Sequence, residues 1–248
     1  MNRAFDKIIR SIGMSFSVAQ AEFYRKRKAF ALRSEMHQRA LKATADFLER
    51  EAPNALYCKD PFTHLRIATE TLPEGSILEF GVYRGDTINY LAKRHPGREL
   101  FGFDSFLGLP EAWAGNRASE ANFNMDGKKP ATEPNVTLVE GWFDKTLPGF
   151  LKKFEKPIAF VHIDCDIYSS TQCVLNLLGP RLRPGAVIAF DEFFNYPNFE
   201  QHEFKAFFEF VETFGVQFRY LAFSGQQLSV VIDAIQTGGA AESNSEPV

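Results

Sequence analysis

The 248-residue sequence has few cysteines, and their spacing suits neither a metal finger nor a redox motif. Cys58, Cys165 and Cys173 form no CxxC pair, which indicates reduced thiols and excludes a disulfide framework. No run approaches the roughly 18 apolar residues that a membrane span requires. The N-terminus also lacks the apolar core of a secretory signal. We therefore expect a cytoplasmic protein without a membrane partner.

The sequence also lacks an excess of positive charge. Its 28 Lys and Arg residues against 31 Asp and Glu residues give a net charge of −3, so nothing predicts a nucleic-acid partner. The basic run from Arg25 to Lys28 is typical of a solvated helix face, although a run of this kind can also touch a phosphate. Phenylalanine, by contrast, is abundant at 26 residues, which favours an aromatic core or a pocket with flat apolar walls.

Residues 1–72 are predicted to form a helical extension. Apolar residues recur there at helical spacing, and Asp60-Pro61 is typical of a helix start. We expect this extension to act as a lid or as an oligomerisation arm, and therefore expect a homo-oligomer. At the other end, residues 237–248 have almost no apolar content and are predicted to be a disordered tail.

Between these segments, short apolar runs alternate with helical patterns, which predicts a parallel sheet covered on both faces. The runs are residues 76–80, 99–103, 136–140, 158–163 and 186–190. Two further strands, about 216–223 and 228–233, are too close for a helical crossover and must pair antiparallel. The prediction is an α/β, Rossmann-like domain over residues 73–236, with a seven-stranded, mostly parallel sheet. Segment 111–135 shows no periodicity and is either a lid and specificity element or a surface insertion.

The first strand leads into a glycine turn with the pattern Glu79-x-Gly81-x-x-x-Gly85. This is not the G-x-G-x-x-G of a dinucleotide site, and the acidic residue suits an amine-bearing ligand better than a phosphate. A purely structural turn is the alternative. Asp104 ends the second strand, about where open α/β folds place a ribose-binding carboxylate, but it would also suit a turn cap. Trp142 follows the third strand, where it could cover an adenine ring or pack in the core.

Four carboxylates follow the fourth and fifth strands: Asp164, Asp166, Asp191 and Glu192. Carboxylates crowded together rise in pKa unless a cation neutralises them, and oxygen ligands favour a hard divalent ion such as Mg²⁺. Such an ion would orient and acidify a substrate hydroxyl, and a carboxylate would then remove the proton. Asp164 or Asp191 is the predicted base, with Asp166 in reserve. The alternative is a set of strand-end caps, with Asp166 capping the helix that follows it.

Three other features near these carboxylates carry weaker expectations. His162 lies inside a strand and is predicted to be a core histidine, not a catalyst. His202, in the helix after the fifth strand, is expected at the surface, with a position at the substrate mouth as the alternative. The stretch from Tyr196 to Phe199 is predicted either to form a wall of the acceptor pocket or to have no role in it.

From about residue 76 to 233 the chain resembles the class I methyltransferases, and more narrowly the macrocin-type sugar O-methyltransferases. The resemblance rests on the turn from Glu79 to Gly85, on DSFLGLP from Asp104, on GWF from Gly141 and on the acidic strand ends. It implies the class I methyltransferase fold, with Asp164, Asp191 and Glu192 on the metal. It also implies that S-adenosylmethionine binds to a set of residues comprising Glu79, Gly81, Tyr83, Arg84, Gly85, Thr87, Asp104, Ser105, Gly141 and Trp142.

The predicted function is therefore S-adenosylmethionine-dependent O-methyl transfer to a hydroxylated small molecule, such as a sugar or glycoside, assisted by Mg²⁺. One alternative is a metal-independent methyltransferase on the same fold. Another is a non-catalytic nucleotide-binding module, which would leave the four carboxylates without a purpose. A nicotinamide oxidoreductase is disfavoured by the glycine spacing.

Overall fold

The computed structural model describes residues 3–113 and 123–236, with side chains at Glu22, at 25–28 and from Phe30 onward. The predicted tail and the middle of the 111–135 segment lie outside the described residues. The side chains of residues 1–21, on which the first part of the predicted helical pattern depends, also lie outside the described part. Within the described part, no helix is both long and apolar enough to cross a membrane.

An eight-stranded sheet forms the centre of the protein, in the order β1-β7-β8-β6-β5-β2-β3-β4. Pairing is parallel except where β8 meets β6 and β7, so the predicted mostly parallel sheet with an antiparallel hairpin is confirmed. The strands are Leu56–Tyr57 (β1), Ser76–Phe80 (β2), Leu100–Asp104 (β3), Val136–Glu140 (β4), Ile158–Ile163 (β5), Val187–Phe190 (β6), Gln217–Phe223 (β7) and Leu228–Ala234 (β8).

The predicted count of seven strands was one short. The additional strand β1 has only two residues and pairs with β7 at the edge of the sheet. Two residues are too few for an alternating or continuous apolar pattern, which is why sequence analysis missed this strand. The strands from β2 to β8 match the seven predicted segments to within about a residue at each end.

Helices cover both faces of the sheet. Helices α2 and α3 pack on one face, where Leu65 and Ile88 enter the core, and α4, α5 and α6 pack on the other with Leu147, Val174 and Phe207. Their bounds are Pro61–Ala68 (α2), Asp86–Arg94 (α3), Phe143–Leu151 (α4), Tyr168–Leu178 (α5) and Glu203–Thr213 (α6). Asp60 caps α2 as predicted, because its carboxylate accepts the Thr63 N–H at 2.8 Å.

The N-terminal helix α1 is one continuous element, Arg3–Glu51. Among the described side chains of α1, those of its last turns pack on the body: Phe47 meets the rings of Phe204 and Tyr220 at 5.4 and 5.8 Å. Thr44 Oγ1 accepts the Asn195 N–H at 3.0 Å, in the loop after β6. The basic run from Arg25 to Lys28 is exposed, as a solvated helix face requires. The end of α1 therefore packs beside the loop that carries the acidic end of β6.

Candidate active site

A cleft of about 720 Å³ opens where the parallel strands β2 to β6 end. Parallel α/β sheets bind ligands at this edge, because the strand ends and the following loops converge there. Residues from the predicted cofactor-binding set and the predicted carboxylates lie together in this cleft. Its lining comprises Gly81, Tyr83, Asp104, Ser105, Gly108, Leu109, Pro110, Phe123, Trp142, Phe143, Asp144, Lys145, Asp164, Cys165, Asp166, Ser169, Ser170, Cys173, Asp191 and Glu192.

Gly81 allows the turn after β2 to lie directly against the segment that follows β5. Its φ of 93° lies in the left-handed region, and a Cβ there would stand 1.7 Å from the carbonyl oxygen of Asp164. Only glycine fits a position with both constraints. The glycine turn after β2 is thereby held directly against the backbone of the first acidic residue after β5.

Glu79 lies beneath the glycine turn, not in the cleft. It is fully buried, accepts the Thr87 hydroxyl at 3.1 Å and lies 2.9 Å from His162 Nδ1. Burial raises the pKa of Glu79. At His162 burial opposes protonation, but the hydrogen bond and the charge of Glu79 raise its pKa on balance. His162 is thus the core histidine that the sequence predicted, and the three side chains tie β5, β2 and α3 together below the turn.

The ten predicted cofactor residues divide into two groups of five. Gly81, Tyr83, Asp104, Ser105 and Trp142 line the cleft. The remaining five are not part of its lining in the described structure. Of these, Arg84 is exposed, with its guanidinium 4.9 Å from the Tyr83 ring centroid. The other four lie in or beside the turns that border the cleft: Glu79, Gly85, Thr87 and Gly141.

Asp104 organises the cofactor end through backbone contacts. One carboxylate oxygen accepts the N–H groups of Val82 and Tyr83, both at 2.8 Å, and the other accepts the Phe106 N–H at 2.7 Å. Asp104 therefore has the turn-capping role that was the alternative to ribose binding. Asp104 also lines the cleft, so its predicted contact to a ribose remains a prediction that the geometry permits.

Three carboxylates converge at the other end of the cleft. Asp164, Asp166 and Glu192 each offer an oxygen, and these atoms lie within 4.8 Å of one another. Burial raises the pKa of all three, and the charge of Asp191 raises it further; the pKa of Asp166 rises to about 7. Glu192 Oε2 is buried and has no hydrogen-bond partner among the described residues. Oxygen-only donors with raised pKa values and an unsatisfied buried oxygen suit a hard divalent cation.

The three converging carboxylates, Asp164, Asp166 and Glu192, differ from the predicted ligand set by one residue. Asp191 lines the same cleft but lies outside the cluster, and its carboxylate accepts the Gln227 side-chain N–H at 3.2 Å. Asp166 belongs to the cluster instead. It does not cap α5, whose N-cap is Ile167 without a side-chain cap, and it has a φ of 65°. A non-glycine residue in this strained region is often part of a functional site.

Sequence analysis missed one carboxylate in this region. Glu203 begins α6, is fully buried, and accepts the Glu192 N–H at 3.1 Å. A glutamate in the first turn of a helix is ordinary surface chemistry, so the sequence offered no signal of its burial. The expectation that His202 lies at the surface was wrong, because it is buried beside the rings of Tyr196 and Trp113. Tyr196 and Phe199 are also buried and do not line the cleft described above.

Comparison with known proteins agrees with this arrangement. Residues 78–193 match the family model described as a methyltransferase domain. The match covers the glycine turn, the three strand ends that follow it and the acidic residues Asp191 and Glu192. Residues 78–193 are therefore similar to a methyltransferase domain.

Two curated relatives are similar to about half of this chain. One is the 8-demethyl-8-(2,3-dimethoxy-alpha-L-rhamnosyl)-tetracenomycin-C 4'-O-methyltransferase of Streptomyces olivaceus, 29% identical over 144 residues, covering 48% of this chain and 53% of the relative. The other is the mycinamicin III 3''-O-methyltransferase of Micromonospora griseorubida, 27% identical over 143 residues, covering 48% of this chain and 55% of the relative. The chain thus spans about half the length of these relatives.

A solved structure supports the predicted fold of this chain. The calicheamicin methyltransferase CalS11 superposes with a TM-score of 0.54, covering 80% of this chain and 91% of that one at 22% identity. This similarity confirms the class I methyltransferase fold that the sequence predicted.

The raised pKa values of the buried carboxylates predict how stability depends on pH. Asp164, Asp166, Glu192 and Glu203 have raised pKa values, so the folded state binds protons more tightly than the unfolded chain. That stabilisation is complete below the unfolded pKa near 4 and is lost as pH rises through the folded values, about 7 for Asp166. In chelator, we therefore expect the Tm to fall between about pH 5 and about pH 8. A flat or rising Tm over that range would contradict the electrostatic description of this site.

Proposed function

We propose that the protein is an S-adenosylmethionine-dependent O-methyltransferase that acts on a hydroxyl of a sugar or another small natural product. The observation that carries this proposal is the single cleft that joins the glycine turn at Gly81 to the carboxylates Asp164, Asp166 and Glu192. Methyl transfer to oxygen needs both parts: a site for the methyl donor and, in line with it, a site that orients and deprotonates the hydroxyl.

The cofactor end is assigned from the lining residues. The turn from Gly81 to Tyr83 presents backbone at close range and would receive the methionine portion. Asp104 would receive ribose hydroxyls, and Trp142 would cover the adenine. Tyr83 and Phe123 meet edge to face at 5.4 Å and add an apolar wall. S-adenosylmethionine supplies the methyl group and S-adenosylhomocysteine is the product that leaves.

The acidic end would hold Mg²⁺ through Asp164, Asp166 and Glu192, with Asp191 as the neighbouring ligand that the family resemblance implies. Glu192 Oε2 supports this fit, because a buried carboxylate oxygen without a partner is costly unless a cation or donor satisfies it. When bound, the ion supplies positive charge that lowers the pKa of a substrate hydroxyl and of the surrounding carboxylates.

Asp164 is the proposed proton acceptor. Its carbonyl contacts the glycine turn, so this residue stands at the boundary between the donor end and the acidic end. Burial and the charge of Asp191 raise the pKa of Asp164 without the cation, and the cation would keep this carboxylate ionised and able to accept a proton. Asp191 is the second candidate for this role. The hydroxyl proton moves to the carboxylate as the new oxygen–carbon bond forms and the sulfur–carbon bond breaks.

Cofactor binding tests the first half of the proposal. In calorimetric titration, S-adenosylhomocysteine should bind with micromolar affinity and NADH should not bind. Replacing Trp142 with alanine should weaken S-adenosylhomocysteine binding by about tenfold, because stacking on a nucleobase contributes roughly 1–3 kcal/mol. Phe62→Ala, a change at a partly exposed ring on α2, is the matched control. Absence of S-adenosylhomocysteine binding to the unaltered protein would refute the assignment.

A further inference from the structure

Glu203 is a buried carboxylate to which the proposed reaction assigns no role. It begins α6, the helix between β6 and β7, and none of its side chain is exposed. It is absent from the lining of the cleft, and it is not one of the three converging carboxylates. A fully buried carboxylate without a cationic partner is expensive, so it requires an explanation other than packing.

Glu203 accepts a backbone hydrogen bond at the end of β6 and lies near the backbone at the end of β5. Its Oε2 accepts the N–H of Glu192, next to Asp191 at the end of β6, at 3.1 Å. Burial and the charges of Asp191 and Asp166 raise the pKa of Glu203, while the backbone N–H groups of Glu192 and Cys165 oppose the rise. The Cys165 N–H lies between Asp164 and Asp166 at the end of β5. One carboxylate thus faces the main chain of both segments that carry the acidic residues.

The second oxygen of Glu203 makes the case for a functional role stronger. Glu203 Oε1 is buried without a hydrogen-bond partner among the described residues, as is Glu192 Oε2. A residue kept only for helix capping or packing would be more stable as an uncharged side chain of similar size. The unsatisfied oxygen is best explained by the proposed cation site beside it.

We propose that Glu203 is a positioning residue that sets the spacing of the two acidic strand ends for the divalent cation. This rests on the cation site of the proposed function and adds a residue to it. By accepting the Glu192 N–H, Glu203 fixes the backbone of Glu192 and therefore the direction of the Glu192 side chain. Partners of metal ligands act in this way, and losing one typically weakens metal binding by 10- to 100-fold.

Mn²⁺ binding, followed by calorimetry or by the electron paramagnetic resonance of the free ion, tests this role. Glu203→Ala should weaken Mn²⁺ binding by roughly 10- to 100-fold. Its S-adenosylhomocysteine affinity should stay within about threefold, because Glu203 does not line the cleft. Glu203→Gln should lose less, since its amide oxygen still accepts the Glu192 N–H. Glu212→Ala, an exposed change on the same helix, should leave both affinities unchanged.

Each outcome of this test has a distinct meaning. Unchanged Mn²⁺ affinity in Glu203→Ala overturns the positioning role and leaves the cation site intact. Equal losses in the Gln and Ala variants also overturn it, because the charge and not the backbone contact would then matter. If the unaltered protein binds S-adenosylhomocysteine but no Mn²⁺, the cation site itself fails and the role of Glu203 fails with it. If Glu203→Ala does not fold, Glu203→Leu, which fills a similar volume but cannot accept the Glu192 N–H, replaces it: weaker Mn²⁺ binding than in Glu203→Gln supports the proposal and unchanged binding overturns it.

Discussion

Asp164→Asn is expected to lower the rate of methyl transfer by about 100- to 10,000-fold, the usual contribution of a positioned proton acceptor. Asparagine keeps the shape of the side chain and the close contact between the backbone and Gly81, but it cannot take a proton. The same change removes one of the three oxygens that converge at the acidic end, so Mn²⁺ affinity should fall as well. S-adenosylhomocysteine affinity should stay within a fewfold of the unaltered protein, and calorimetry measures it directly.

The control for Asp164→Asn is Asp46→Asn, an isosteric change at an exposed position on α1. It should leave turnover and both affinities unchanged. Full activity in Asp164→Asn would remove Asp164 from the chemistry. Asp191→Asn should then be measured, because Asp191 lines the same cleft and is the alternative base.

Gly81→Ala is expected to have the largest effect on stability. The new Cβ would stand 1.7 Å from the Asp164 carbonyl oxygen, at a φ of 93° that L-residues rarely adopt. Neither problem can be relieved by a change of rotamer, because both involve main chain. We expect a loss of about 4 kcal/mol in the free energy of unfolding, or failure to fold, and loss of S-adenosylhomocysteine binding in any folded fraction.

Gly149 provides the matched control within the same protein. It lies in α4, and a Cβ at this position would meet nothing within 4 Å. Gly149→Ala should therefore leave binding unchanged and raise the free energy of unfolding by up to about 1 kcal/mol, the helix-propensity difference between the two residues. Denaturant unfolding of both variants measures the contrast. A Gly81→Ala protein as stable as the Gly149→Ala protein would contradict the contact between the turn and Asp164.

The positions of the main strands along the chain and the edge that carries the site follow from sequence because both rest on local patterns. Apolar runs of five or six residues predict the strands, and the residues just after them must gather at one edge of a parallel sheet. For this reason Gly81, Asp104, Trp142, Asp164 and Glu192 were predicted together and line one cleft. The two-residue strand β1 carries no such pattern, and only its pairing with β7 reveals it.

The direction of individual side chains does not follow from position alone. Glu79 comes immediately before the glycine turn, yet its carboxylate points into the core toward His162 and Thr87. Asp166 joins Asp164 and Glu192 because its backbone adopts a positive φ, which no spacing rule for aspartate predicts. Glu203 reaches the acidic end through the packing of α6, a long-range contact that is invisible to any local pattern.

The proposed reaction is tested most directly by the mass of the product. Purified protein should be incubated with S-adenosylmethionine, Mg²⁺ and a panel of rhamnosides and other glycosides, with a parallel series in excess chelator. We predict that at least one acceptor gains the mass of a single methylene, that S-adenosylhomocysteine forms in equal amount, and that chelator abolishes both. Methyl transfer that continues unchanged in chelator would contradict the cation at Asp164, Asp166 and Glu192. S-adenosylhomocysteine formation without any methylated hydroxyl would contradict oxygen as the methyl acceptor.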